Sequence, residues 1–244
     1  MSRIEYLNRL RAAEIEKVAV HVPAGARVLE IGAGTGRQAL ELKRLGFYVA
    51  AIELAESAYS GDRVFPITDY DGAHIPFPDA SFDVVFSSNA LEHVHDLDGM
   101  HAEIRRVLKP DGLCVHVLPT HAWRFWSSLT AYPNALISLG KAIKGGNRRA
   151  WGEALRWLGF AVLQPRHGER GHALTELWSF HPRWWRRNFR RNGFVVLRDE
   201  PMGLFYTGSA LAGARLGFDR RAQLARHLGS ACHLYVLKRK PSGD

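Results

Sequence analysis

The hydrophobic and polar positions fall into two patterns along the chain. Through residue 119, apolar runs of four to six residues alternate with stretches of helical spacing. Residues 2–20 place Ile4, Leu7, Leu10, Ile15 and Val18 on one stripe and predict an amphipathic helix. Val28–Ile31 predicts a first strand. From Arg37 on, Ala39, Leu40, Leu42 and Leu45 recur at helical spacing. Phe47–Ile52 predicts a second strand. Arg63–Ile67 predicts a weak third one, which Pro66 confines to a sheet edge. Phe82–Phe86 predicts the fourth strand and Asp98–Leu108 a helix. Lys109-Pro110-Asp111-Gly112 stops that helix, and Leu113–Leu118 predicts the fifth strand, ended by Pro119. Strand–helix alternation of this kind predicts an α/β fold, a doubly wound and mostly parallel sheet with ligands at the carboxyl ends of the strands.

The alternation lapses from Thr120 to His181. Trp123, Trp126 and Leu129, then Leu136, Ile137, Leu139 and Ile143, form helical stripes expected to break at Pro133. Lys141–Arg149 reads as a basic joint, Trp151, Leu155 and Leu158 as another helix, and Gln164–His172 as a long polar loop. The core pattern then returns. A helix between Pro182 and Gly193 has Trp185 and Phe189 facing inward. Phe194–Leu197 and His233–Leu237 predict strands six and seven, and Tyr206–Leu228 predicts a helix-containing excursion between them. The expected organisation is one domain over 1–244. It comprises a cofactor-binding half at 1–119, an inserted helical lid at 120–181 after strand five, and a closing helix with antiparallel strands at 182–240.

Charge sharpens the division. Residues 1–120 carry 12 Lys+Arg against 17 Asp+Glu, whereas residues 121–244 carry 21 against 7 and all seven tryptophans. The acidic front suits a cofactor domain and the basic, Trp-rich back a substrate-facing region. For the basic half three readings stand: a solvated face, attraction of an anionic or phosphate-linked substrate, and contact with an anionic membrane surface. Nucleic acid is disfavoured, because no RNA-binding module is recognisable. Cys114 and Cys232 sit far apart in apolar runs without metal spacing, so two buried free thiols and no metal are expected. No apolar run is long enough to span a bilayer and no N-terminal h-region is seen. The expectation is a cytoplasmic protein, with a peripheral place at the inner membrane surface left open.

The chemistry gathers at Val28-Leu29-Glu30-Ile31-Gly32-Ala33-Gly34-Thr35-Gly36. A strand runs into glycines at alternate positions and then into a helix, the arrangement that opens a nucleotide pocket. Glu53 ends the second strand 21 residues after Gly32, where a carboxylate grips a ribose diol. The spacing is GxGxG rather than GxGxxG, which favours a nucleoside without a pyrophosphate. Asp71-Gly72, Ile75–Val94 (IPFPDASFDVVFSSNALEHV) and Glu103–Gly112 (EIRRVLKPDG) follow. In this order these segments resemble the class I S-adenosylmethionine-dependent methyltransferases, in the small-molecule and ubiquinone-type branch, over roughly residues 27–119. The resemblance implies S-adenosylmethionine as cofactor. It implies Gly32, Gly34 and Gly36 against the methionine part; Glu30, placed at the carboxyl end of its strand by sequence position, is a further cofactor-binding candidate. Glu53 would hold the ribose, Asp71 and Gly72 would lie beside the adenine, and Asn89 would border the methionine end. It also implies that the N-terminal helix covers the pocket. One departure is that only Leu54–Asp62 separate strands two and three, so the usual helix there is shortened.

Methyl transfer from a sulfonium relies mainly on positioning the nucleophile. A hydroxyl acceptor also needs a base, and His93 and His121, after strands four and five, are the candidates. His93 has the alternative of only bracing its loop. The reading is a methyltransferase for a small-molecule, lipid-linked or glycan-type acceptor, with O-methylation ahead of C- or N-methylation. An NAD-dependent oxidoreductase and a catalytically silent cofactor-binding module are the rivals.

Overall fold

The structure, a computed structural model, describes residues 3–208 and 216–241, with side chains from residue 9 onward. Ile4 and Leu7, and part of the Tyr206–Leu228 excursion, therefore lie outside the described side chains. The chain forms two compact units. The first comprises residues 1–118, 182–202 and 233–244, and the second residues 119–181 and 203–232.

The first unit is the expected doubly wound sheet. Its strands are β1 (Arg27–Ile31), β2 (Tyr48–Leu54), β3 (Thr68–Tyr70), β4 (Phe82–Ser88), β5 (Leu108–Pro119), β6 (Phe194–Pro201) and β7 (Cys232–Arg239), in the order β3-β2-β1-β4-β5-β7-β6. β1 to β5 run parallel and β6 pairs antiparallel with β7. The order reverses between β1 and β4, so the point where ligands bind in such sheets lies past Ile31 and Ser88. Helices α1 (Arg3–Ala19), α2 (Arg37–Arg44), α3 (Leu97–Val107) and α7 (Pro182–Arg191) belong to this unit. The central strands are buried on both faces, which is why they read as continuous apolar runs. Trp185 and Phe189 of α7 face inward as expected, and Phe189 meets the Tyr235 ring edge-on.

Two strands of this sheet begin elsewhere than the sequence reading places them. β3 begins at Thr68, after Pro66 rather than around it, because proline has no N–H to give the ladder; the strand does take the sheet edge. β5 begins at Leu108. Its ladder to β4 jumps from the Phe82–Leu108 pair to Val84–Leu113, so Lys109–Gly112 bulge out within the strand instead of preceding it. The short link after β2 holds only a one-turn 3-10 helix at Ser60–Asp62, as its length implies.

The second unit is helical: α4 (His121–Gly145), α5 (Arg148–Leu163), α6 (Glu176–Ser179) and α8 (Phe218–Leu228). α4 runs through Pro133 rather than breaking there. Pro133 is exposed, so the carbonyl it deprives of a partner can turn to water. Asn147 caps α5 by accepting from the Ala150 N–H. Residues 203–232, read from the sequence as part of the closing segment, cluster with residues 119–181 instead. Beside the edge-on contact of Trp126 with Phe205, the ties include polar ones that apolar periodicity does not show. Thr120 N–H donates to the Ala231 carbonyl, Trp126 Nε1 to the Leu228 carbonyl and the Gly208 N–H to Ser127 Oγ.

Cys114 and Cys232 are buried and stand outside any disulfide. The core also encloses His116, fully buried, bonded through Nδ1 to Ser87 Oγ at 2.8 Å and stacked on Phe189. Burial, with nearby His101 adding repulsion, pushes its pKa down to about 3. The unfolded chain takes up this proton near pH 6.5 and the folded one only near 3. Stability from this group is complete above about pH 6.5 and falls as pH drops toward 3. Urea midpoints should therefore decline between pH 7 and pH 4.5, and His116→Leu, weaker at pH 7 for want of the Ser87 bond, should lose less over the same interval. Equal slopes would place the acid sensitivity elsewhere.

Candidate functional site

The turn after β1 is built by the protein's own backbone. Gly32 and Ala33 N–H both donate to the Ile52 carbonyl of β2, and the Gly36 N–H donates to Ala33. Gly32, Gly34 and Gly36 all have left-handed φ values of 73°, 56° and 79°. They are not equivalent. A Cβ at Gly32 would lie 2.5 Å from the Ala90 Cβ, and one at Gly36 2.6 Å from the Phe65 Cβ. At Gly34 it would meet only the Tyr59 ring, at 3.6 Å, an ordinary contact.

Glu53 stands directly beside this turn. Its Oε2 accepts from the Gly34 N–H at 2.6 Å and its Oε1 from the Leu54 N–H at 2.9 Å. At the end of β3, Asp71 accepts from the Ala73 and His74 N–H groups and meets His74 Nδ1 at 2.9 Å. These bonds hold the Asp71 carboxyl well below the usual range and raise His74. Gly72 has φ 83°, and a Cβ there would press on Leu54 Cδ2 at 2.9 Å. Tyr70, across from Leu54 in the β2–β3 register, is pushed up to about 12 by burial and by the Glu53 and Asp71 charges.

Past β4, Asn89 takes a left-handed φ of 51° and donates its N–H to the Val117 carbonyl. With its amide oxygen turned toward α1, it accepts from both terminal guanidinium nitrogens of Arg11, at 2.7 and 3.1 Å. Glu30 lies at the end of β1, 1% exposed. It accepts from the Ala39 N–H at the start of α2, and its Oε2 has no hydrogen-bond partner. Burial above all, with the Glu53 charge adding to it, pushes Glu30 up to about 8, so it carries its proton at neutral pH.

The sheet order thus sets Asp71, Glu53, the glycine turn and Asn89 past four neighbouring strands, β3, β2, β1 and β4. At about 4.8 Å per strand the row spans about 14 Å, the reach of an extended nucleoside with a short tail. The base candidates are placed differently. His93 ends a one-turn 3-10 helix, Leu91–His93, half-exposed, with Nε2 3.8 Å from the buried Glu92 carboxylate. His121 begins α4 in the other unit, its ring 4.5 Å from that of His181. Sequence reading missed Arg11, Tyr59 and Tyr70. Arg11 sits on a helix read only for its apolar stripe, and the two tyrosines flank residues that were singled out for their charge or lack of a side chain.

Residues 29–116 match the family model described as a methyltransferase domain. That segment falls wholly within the sheet unit. The chain is 32% identical over 105 residues to a sterol 24-C-methyltransferase of Gibberella zeae, covering 38% of this chain and 28% of that protein. It is 36% identical over 90 residues to a demethylmenaquinone methyltransferase of Corynebacterium efficiens, covering 36% and 39%. The chain thus spans well under half the length of these relatives. Among solved structures, an S-adenosylmethionine-dependent methyltransferase of Mesorhizobium loti superposes with a TM-score of 0.55 at 17% identity, covering 93% of this chain and 98% of that one.

Proposed function

We propose, from the premise that residues 29–116 are a methyltransferase domain on the class I methyltransferase sheet, that this protein is an S-adenosylmethionine-dependent methyltransferase with a small-molecule acceptor. The observation that carries the reading is the row of groups past β3, β2, β1 and β4. Those residues fit the cofactor. Glu53, pinned by the Gly34 and Leu54 amides, keeps acceptor capacity for two ribose hydroxyls. Asp71, with one oxygen shared by two backbone N–H groups, keeps a lone pair on the adenine side. Gly34 leaves open backbone at the centre of the row. The buried Glu30 Oε2, lacking a partner, offers a hydrogen-bonding group beneath the methionine end, and Asn89 borders that end.

Bound S-adenosylmethionine would supply a methyl group already activated by its sulfonium. The chain's part is to bind, to orient the acceptor and to take up a proton. For an O-methyl product that proton falls to His93 or His121. Glu92 behind His93 would steady the imidazolium once formed. The acceptor is read as a lipid-linked or glycan-type hydroxyl, anionic or presented at an anionic surface. The protein is then peripheral to the inner membrane face, a reading the 21 Lys+Arg against 7 Asp+Glu of residues 121–244 support. The sterol relative is named for carbon methylation, and transfer to carbon would need no hydroxyl base. An NAD-dependent oxidoreductase is disfavoured by the GxGxG spacing, and a silent module is separated from an enzyme only by turnover.

Titration calorimetry should show S-adenosylhomocysteine binding and no NADH binding, and labelled cofactor should mark one acceptor in an extract. Glu53→Ala removes an ionised partner of two hydroxyls, so its binding should weaken by about 1.5–3 kcal/mol, roughly ten- to a hundredfold. Unchanged affinity in this variant would take the ribose away from Glu53, and absence of binding by the native protein would end the reading.

A further inference from the structure

The α4–α5 pair is built inside out for a helix pair in water. Apart from Arg124, which pairs with Glu176, the residues that α4 buries are small, namely Ser127, Thr130, Ala131, Ala135, Ser138 and Ala142, and α5 buries Ala154 and Ala161. Trp157 and Phe160 pack partly buried against this seam, while two stripes of large apolar residues face outward. On α4, Phe125, Leu129, Tyr132, Leu136 and Ile143 recur at i, i+4, i+7, i+11 and i+18, with Leu136 70% and Ile143 66% exposed. On α5, Trp151, Leu155, Leu158 and Val162 recur at i, i+4, i+7 and i+11, with Val162 70% exposed. A soluble amphipathic helix turns such a stripe to its core. Small residues at the seam with apolar residues outside is how helices pack in lipid. There, close backbone approach rather than hydrophobic force joins them. An exposed apolar surface of this extent marks an interaction site.

The charges say which one. Around the turn between the helices stand Lys141, Lys144, Arg148, Arg149 and Arg156, all exposed, against the single acid Glu153. Long basic side chains beside an apolar stripe can reach lipid phosphates while their stems stay in the apolar layer. No helix among the described residues is long and apolar enough to cross a membrane.

We propose that the α4–α5 hairpin docks the protein on an anionic lipid bilayer, lying along one leaflet with its outer stripes in the acyl region and its cations at the phosphates. The inference deepens the surface reading given above and rests on it, but not on methyl transfer. The test uses the full-length protein and vesicles of phosphatidylcholine alone or with one quarter phosphatidylglycerol. The native protein should partition to the anionic vesicles about tenfold or more above the neutral ones, and less at high salt. Brominated lipid should quench its tryptophan emission, less so in Trp151→Phe. The exposed double variant Leu136→Glu/Ile143→Glu should lose anionic binding about tenfold. The variant Lys141→Gln/Lys144→Gln/Arg148→Gln/Arg149→Gln should lose the anionic preference. S-adenosylhomocysteine affinity, measured on the same samples, should stay unchanged in both, which separates failure of docking from failure of the cofactor reading. Equal partitioning to both vesicle types, no vesicle binding at all, or a lipid-free dimer that shields Trp151 from acrylamide would each overturn the proposal, the last by giving the stripes to a second copy of the chain.

Discussion

Gly34→Val should abolish S-adenosylhomocysteine binding while leaving the sheet unit folded. The three glycines of the turn separate two demands. At Gly32 and Gly36 an added Cβ runs into Ala90 or Phe65, so substitution there would report on packing of the protein against itself. At Gly34 the nearest atom is a carbon of the Tyr59 ring at 3.6 Å, an ordinary contact, and Tyr59 is 56% exposed. The fold then bears only the cost of a left-handed β-branched residue, about 1–2 kcal/mol. The ligand bears more. A branched side chain would occupy the surface on which the proposed nucleoside lies. It would also pull at the N–H that positions Glu53 Oε2. Calorimetry with S-adenosylhomocysteine beside a thermal melt gives both readouts. Native-like affinity with a native-like melt would show that the turn is not the ligand wall.

Glu176→Ala should destabilise the helical unit by about 3–5 kcal/mol, the usual cost of leaving one member of a buried ion pair alone. Arg124 and Glu176 are 2% and 0% exposed by side chain and meet at 2.9 Å. The other Glu176 oxygen accepts from the His167 and Gly168 N–H groups at 2.6 and 2.7 Å, fixing the loop that leads from α5 to α6. The alanine variant strands a buried guanidinium, itself held by the Pro165 carbonyl, and two loop amides together. Glu176→Gln keeps an acceptor for the amides and loses only the charge, so it should fall between. Urea unfolding of the three proteins, followed by tryptophan emission, checks the order. An alanine variant within about 1 kcal/mol of the native protein would mean that water replaces the pair at little cost.

The apolar alternation was enough to read the seven-stranded sheet and the edge place of β3. Buried parallel strands are unbroken apolar runs, and Pro66 has no N–H to donate. That Glu53 stands beside the glycine turn was legible because the strand that ends in glycines and the strand that ends in an acid are neighbours in a doubly wound sheet. The Arg11–Asn89 contact was not, since nothing in the spacing of residue 11 distinguishes a guanidinium turned to the sheet from one in water. The protonated state of Glu30 was equally hidden, because it depends on burial and on the Glu53 charge rather than on neighbours in sequence. The reach of the helical unit into residues 203–232 rests on Thr120, Ser127 and Trp126 bonding to a distant segment. Such bonds leave no period. The stripes of α4 and α5 were read correctly as helical, but a stripe does not reveal whether it faces a core or the outside.

The interleaving of the two units constrains the order in which the chain can be completed during synthesis. The helical unit needs residues 203–232, which emerge only after β6, and β6 has no strand to pair with until β7 has followed. β7 enters between β5 and β6 rather than at the margin. While the ribosome is still making residues 120–231, the side of β5 that β7 will occupy is an open strand margin of the kind that recruits other chains. The helical unit is complete only once residue 232 has left the ribosome and the sheet unit only when β7 has followed, so both should gain protease resistance late, the sheet unit last.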